Sequence, residues 1–310
     1  MKLGNGSPDS RMVAKSFRVK IGRQFHQRQT KQAPLILVDF LRSVTGREVI
    51  LDQAFDNPDL LLMSALDLRE AYSKEARKPF SPKNLSLSQF SRTLGDPKST
   101  LIVSFENFQH PWWTDFARLL MTSDLPRTSF FPFELDPGGA RFPYWWNYLD
   151  WADFPRPGAV YKRYGRLYSL DRLMSPVPKA TNRLDKACWI GSGLPAEPRK
   201  SFLNFTESQV GLDCFGQAGT PFEGAKSAIM ERYKYSVGAE NSFGIGYDSE
   251  KVPEIWESGC VPVGTFAQPM SDFNPLAINL HDPIGSQRFP LLLAPPDPDP
   301  LLQYLDSLVR

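Results

Sequence analysis

The stretch Glu240-Asn241-Ser242-Phe243-Gly244-Ile245-Gly246-Tyr247-Asp248-Ser249-Glu250-Lys251 decides how this chain is read. An apolar run from Tyr235 to Ala239 precedes it. Val252-Pro253-Glu254-Ile255-Trp256-Glu257-Ser258-Gly259-Cys260-Val261-Pro262-Val263 follows. That order spells strand, Gly-containing loop, helix, Gly stop and strand, one βαβ unit. Its polar groups gather at a strand's carboxyl end, where open α/β sheets bind nucleotides. Ser249 is placed to cap the helix, with the first-turn amides turned toward an anion. Lys251 adds a full positive charge in that turn, as a point-charge phosphate binder. Pro253 fits there because first-turn N–H groups lack intrahelical partners.

The same block resembles the signature of the α-1,3/1,4-fucosyltransferases, glycosyltransferase family ten, approximately E-N-S-x4-Y-x-T-E-K, then a helix and G-x-(V/I)-P. Residue types and spacing match, with Ser249 where Thr is usual. The resemblance implies an α/β protein of GT-B architecture, two Rossmann-like domains facing each other across a cleft. It implies GDP-fucose as donor, with Glu250 on the ribose hydroxyls and Asn241 and Tyr247 completing the pocket. Glu240 then orients its loop or contacts the sugar. Upstream, Lys186 to Ile190 reads as a strand, Gly191 to Pro198 as a loop, and Arg199-Lys200-Ser201-Phe202 as a helix start. The family places a phosphate-contacting Arg in a similar R-x-x-F setting, which maps onto Arg199, and a planar guanidinium suits phosphate oxygens. Leu212-Asp213-Cys214-Phe215-Gly216 resembles the family's short strand ending in Gly, useful where backbone passes close to a ligand.

An inverting transferase also needs a base for the acceptor hydroxyl proton, and a carboxylate in reach suffices. Ser99 to Phe105 is an apolar, β-rich run ending in Glu106-Asn107, which puts Glu106 at a strand's C-terminal edge. Bacterial members of the family carry a (G)-E-N element at an equivalent place, its Glu proposed as base; here Phe105 stands for the Gly. A Glu capping the next segment is the alternative role, and His110 is the rival base. Five of the seven tryptophans fall between residues 112 and 151, so the aromatic enrichment is regional. Core and a rigid wall account for most of these residues, leaving two or three to stack on an acceptor sugar.

Residues 1–33 carry eight Lys/Arg against Asp9 alone, a net +7 that leaves −5 for the rest of a +2 chain. Such an arm can approach anionic lipid headgroups, although its commonest state is solvated. The alternation of Phe17, Val19 and Ile21 with Arg18 and Lys20 also fits a short strand. Binding nucleic acid needs a basic patch on a folded surface, and the remaining chain is acidic. No apolar run approaches a membrane span and no signal-peptide core opens the chain. With the resemblance, this reads as a soluble, bacterial-type, cytoplasmic form with peripheral contact at the inner membrane surface. The three cysteines, Cys188, Cys214 and Cys260, form no disulfide framework and read as small buried hydrophobes.

The length allows two domains with real cores. The expected division is a basic arm (1–33), an acceptor-side α/β domain (34–165), a linker (166–184), a GDP-sugar-binding α/β domain (185–290), and a Pro-rich tail with a terminal helix (291–310). Strands are expected at Leu35–Phe40, Glu48–Leu51, Asp59–Ser64 and Ser129–Pro132, and helices at Leu66–Arg77 and Asp115–Met121. Asp297-Pro298-Asp299 fits a metal-binding D-x-D only formally, set in a Pro-rich tail, so neither a cofactor nor an essential metal is expected. The expected activity is inverting transfer of L-fucose from GDP-fucose to a hydroxyl of a GlcNAc- or glucose-containing oligosaccharide or lipid-linked glycan. The alternatives are a GT-B transferase for another sugar nucleotide and a non-catalytic saccharide- or nucleotide-binding module.

Overall fold

The computed structural model describes residues 15–22, 35–55, 58–64, 67, 100–103, 129–131, 140–177, 182–191, 195, 197, 199–217, 219–240, 248–264, 272–278 and 288–310. The chain enters through β1 (Phe17–Ile21), where Phe17, Val19 and Ile21 are buried and Arg18 and Lys20 are not. Side chains alternate between faces along a strand, so one face of β1 is apolar. Then come α1 (Leu35–Thr45), β2 (Val49–Asp52), β3 (Leu60–Ser64), β4 (Thr100–Val103) and β5 (Ser129–Phe131). All five strands are parallel, in the order β2-β1-β3-β4-β5. Residues 17–21 therefore belong to the first sheet rather than to a solvated arm.

One expected strand is a helix. Leu35–Phe40 opens α1, because a six-residue apolar run suits a buried strand and a buried helix equally. The continuation decides it: Ile36, Leu37, Phe40 and Leu41 recur at helical spacing and are completely buried. The strands at 49–52, 60–64 and 129–131 lie where the sequence puts them. The helices expected at 66–77 and 115–121 lie outside the described residues.

A 3₁₀ turn (Tyr144–Tyr148) leads through β6 (Leu149–Asp150) to β7 (Tyr168–Ser169) and α2 (Leu170–Leu173). Trp145, Trp146, Tyr148, Trp151, Tyr161, Tyr164 and Tyr168 of this region are buried. They meet mostly edge to face, as the ring quadrupole prefers, with Tyr148 stacked on Tyr161 at 3.9 Å. These aromatics are core.

The second sheet is built from β8 (Leu184–Gly191), α3 (Arg199–Val210), β9 (Leu212–Gly216), α4 (Lys226–Met230), β10 (Tyr233–Val237), α5 (Lys251–Glu257) and β11 (Val261–Val263). Its described strands are parallel in the order β11-β10-β8-β9. Counted from its own first strand this is second-first-third-fourth, the order that also runs through the first sheet. α6 (Asp299–Val309) closes the chain and packs on α1, burying Leu301 and Leu305. Among the described residues no helix is long and apolar enough to cross a membrane.

Candidate functional site

In a doubly wound sheet the crevice for a ligand opens outside the carboxyl ends of the strands where the order reverses. In the second sheet that point lies between β8 and β10. A cavity of about 220 Å³ sits there, lined by Trp189, Ile190 and Gly191 from the end of β8, by Val237 at the end of β10 and by Ala239 just beyond it. Arg199 faces it from the first residue of α3, Glu250, Lys251, Glu254 and Ile255 from α5 and its cap, Lys226 and Met230 from α4, and Arg163 from the segment before β7.

Glu240 organises the loop end. Ser249 donates its backbone N–H to Glu240 Oε1 at 3.2 Å and its hydroxyl to the same oxygen. Lys251 Nζ donates to Glu240 Oε2 at 2.6 Å and to Ser249 Oγ at 2.7 Å. Both oxygens of this buried carboxylate are thus engaged within the protein. These contacts tie Glu240 to Ser249 and Lys251 at the start of α5. The cap position of α5 is held by Glu250, which makes no side-chain capping bond. Ser249 stands one residue earlier, its Oγ accepting the Lys251 N–H at 3.4 Å. The helix is therefore capped one residue later than the sequence suggests.

Burial works against the charges here, and the neighbours decide the outcome. For Lys251 the Glu240 and Glu250 carboxylates outweigh desolvation and raise its pKa. For Glu250 the desolvation is overcome by Lys251 and Lys226, which hold its carboxyl below the usual range. Glu254 moves the other way: desolvation dominates, and its pKa is raised although Lys226 opposes it. Lys226 Nζ meets Glu254 Oε2 at 2.7 Å, a pair with both side chains almost fully buried. Glu254 Oε1 and Arg199 Nε have no hydrogen-bond partner among the described residues. Arg199 also lies close enough to Lys251 to disfavour its charge. Two like charges facing one cavity are relieved by an anion between them.

Arg199, Glu250 and Lys251 therefore line one cavity, with Glu240 and Ser249 bracing Lys251 behind it. Glu106, Asn241, Tyr247 and the rival His110 lie outside the described residues. Arg163, Lys226 and Glu254 were missed by sequence reasoning. Glu254 carried a usable signal, standing one turn after Glu250 on the same helix. Arg163 and Lys226 carried none, being isolated cations brought in by tertiary packing. Gly216, read as a site for close ligand approach, has φ +90°. A Cβ there would strike the Gly191 carbonyl oxygen of the neighbouring strand, so its constraint is sheet packing. The Cys188 and Cys260 thiols are pushed up by burial to about 12 and about 11, inert at neutral pH. Among the described residues no group of three or more His, Cys, Asp or Glu converges to hold a metal.

No protein-family model and no curated protein sequence matches the chain. Solved structures do. A crystal structure of an α1,3-fucosyltransferase superposes with TM-score 0.52 at 15% identity, over 99% of this chain and 81% of that one. An α1,3-fucosyltransferase with GDP-fucose gives 0.48 at 16% identity, over 100% and 81%. A T4 phage BGT mutant in complex with UDP-glucose gives 0.41 at 11% identity, over 94% of each chain. The first of these likenesses and the two parallel sheets identify the architecture as GT-B.

Proposed function

We propose that this GT-B protein is an inverting fucosyltransferase that moves L-fucose from GDP-fucose to a hydroxyl of a GlcNAc- or glucose-containing glycan acceptor. The observation that carries the reading is the convergence of Arg199, Glu250 and Lys251 on one cavity at the switch point of the second sheet. They come from segments whose residue types and spacing match the family signature.

In this reading the acceptor oxygen attacks the fucose anomeric carbon as the bond to the β-phosphate oxygen breaks on the opposite face. The electron pair leaves with GDP, and Lys251 and Arg199, already in place, stabilise the charge gathering on the pyrophosphate. Glu250, ionised at neutral pH, accepts from the ribose hydroxyls. The acceptor proton passes to Glu106, three residues beyond the end of β4. Two resident cations supply the charge stabilisation, so transfer in the presence of a chelator is expected.

Calorimetric titration of the protein with GDP, GDP-fucose, GDP-mannose and UDP-sugars, without added metal, tests the donor. Binding of guanine nucleotides alone, with fucose transferred to N-acetyllactosamine, is the expected result. Binding of a uridine nucleotide alone would overturn the fucose reading, and binding of none would favour a non-catalytic module. Glu106→Ala should abolish transfer while leaving GDP affinity within about twofold, since the base touches acceptor and not nucleotide. Normal turnover by that variant would remove Glu106 as base.

A further inference from the structure

Arg163, Arg199, Lys226 and Lys251 all line the cavity between β8 and β10, but they are not equally committed. Lys226 Nζ lies 2.7 Å from Glu254 Oε2, and Lys251 Nζ lies 2.6 Å from Glu240 Oε2. Arg163 and Arg199 have no carboxylate within ion-pair distance among the described residues. The proposed transfer places Arg199 on the phosphates and gives Arg163 nothing to do.

Arg163 is fixed by its backbone. The N–H groups of Tyr164 and Gly165 both donate to the Tyr161 carbonyl, at 3.0 and 2.6 Å, closing a tight turn. The Tyr161 and Tyr164 rings are buried on either side of Arg163. Its carbonyl accepts the Lys226 N–H at 3.1 Å, and the Tyr164 carbonyl accepts the Ser227 N–H at 3.2 Å and hydroxyl at 2.7 Å. The turn is thereby fastened to the start of α4. The guanidinium takes no part in this: it is half-buried and makes no hydrogen bond among the described residues. Its charge is felt by Glu250 and by Glu254, both in the cavity wall, so it lies on the cavity side of the turn.

A cation on a rigid support, without a counter-ion, binds an anion with little further ordering. Lys251 shares its charge with the Glu240 carboxylate and has given two of its three protons to Glu240 and Ser249. Lys251 and Arg199 alone therefore fall short of a diphosphate's multiple negative charges. A second guanidinium fork supplies what is missing.

We propose that Arg163 is a further donor-binding residue, its guanidinium donating to the diphosphate oxygens together with Arg199 and Lys251. The assignment rests on the cavity being the sugar-nucleotide donor site. The competing role is support of Glu250, whose ionised form Lys251, Lys226 and Arg163 favour against burial. The two roles differ in which ligands feel the loss of the charge.

The test is calorimetric titration of the full chain, native and variant, with GDP and with inorganic pyrophosphate. Arg163→Met keeps an aliphatic stem and removes the charge and the fork. It should keep its thermal transition, since the guanidinium bonds to no described protein group, and should weaken both ligands about tenfold or more. Lys162→Met, at the exposed neighbouring position, should leave both affinities within about twofold. An Arg163→Met chain that bound both ligands as the native chain does would overturn the assignment. So would a loss confined to GDP, which would put the effect on the nucleoside through Glu250. An equal loss in Lys162→Met would overturn it too, as a general effect of surface charge. Should the native chain bind UDP in place of GDP, the same comparison runs on UDP, and the fucose reading falls without this one. Failure of every nucleoside diphosphate and of pyrophosphate to bind the native chain would remove the donor site, and this assignment with it.

Discussion

Lys251 is held by two protein oxygens before any ligand arrives, so its cost of ordering is met in the fold. Charge-assisted hydrogen bonds contribute about 1.5–3 kcal/mol. Lys251→Ala should therefore weaken GDP binding about ten- to a hundredfold by calorimetry and abolish transfer. Glu240 keeps both Ser249 donors on Oε1 but loses the cation on Oε2, so the variant should also melt at a lower temperature, and the titration is made below that midpoint. Three residues before Lys251, the Asp248 carboxyl has its pKa raised from 3.8 to about 7 by burial and by repulsion from Asp272, which Arg141 only partly offsets. In that window the unfolded chain has released a proton that the folded chain keeps. Stability contributed by this group is thus present at low pH, falls as the pH rises through the window, and levels off above it. Asp248→Asn should flatten the fall in melting temperature between about pH 4 and 7. Above it the variant should be the more stable, by at most about 4 kcal/mol at ~1.4 kcal/mol per unit.

At the scale of elements, α5 carries the site and ends abruptly. Gly259 follows its C-cap with φ +76°. Arg183 Nη2 donates to the Ser258 carbonyl at 2.7 Å, satisfying one of the groups a helix end leaves open. A Cβ on Gly259 would lie 2.8 Å from a nitrogen of each of the Arg172 and Arg183 guanidinium groups. Gly259→Ala should cost at least about 1–2 kcal/mol from the left-handed backbone alone, read as a lower urea midpoint with unchanged slope. The element that misled sequence reading, α1, shows why short apolar runs are ambiguous. Leu35–Phe40 satisfies both periods, and only the burial of Leu41 in register with Ile36 and Leu37 separates them.

For the molecule as a whole, the last helix secures the first sheet: α6 lies on α1, and Leu305 is completely buried. Leu305→Ala should cost about 2–5 kcal/mol, the usual range for a core leucine. It should lower the thermal midpoint while leaving GDP affinity within about twofold, since α6 lines no part of the cavity between β8 and β10. Buried residues of both sheets join a single apolar cluster that runs through the aromatic segment from Phe142 to Tyr168.

Much of this was written in local pattern. The βαβ order around Glu240–Lys251, the strand ending at Gly191, the helix opening at Arg199 and the terminal helix follow from periodicity and turn residues, which act over a few positions. So does the grouping of Glu250 with Lys251, which are chain neighbours. The sequence alone determined that a parallel α/β sheet presents these charges at a strand's carboxyl end. Only the tertiary structure decided which groups meet there. Glu240 turns inward to hold Lys251, Lys226 crosses from α4 to pair with Glu254, and Arg163 enters from before β7. Those partnerships depend on strand order and on burial, which sets whether a charge is neutralised, displaced or left waiting for a ligand. Neither quantity is a property of neighbouring residues in the chain.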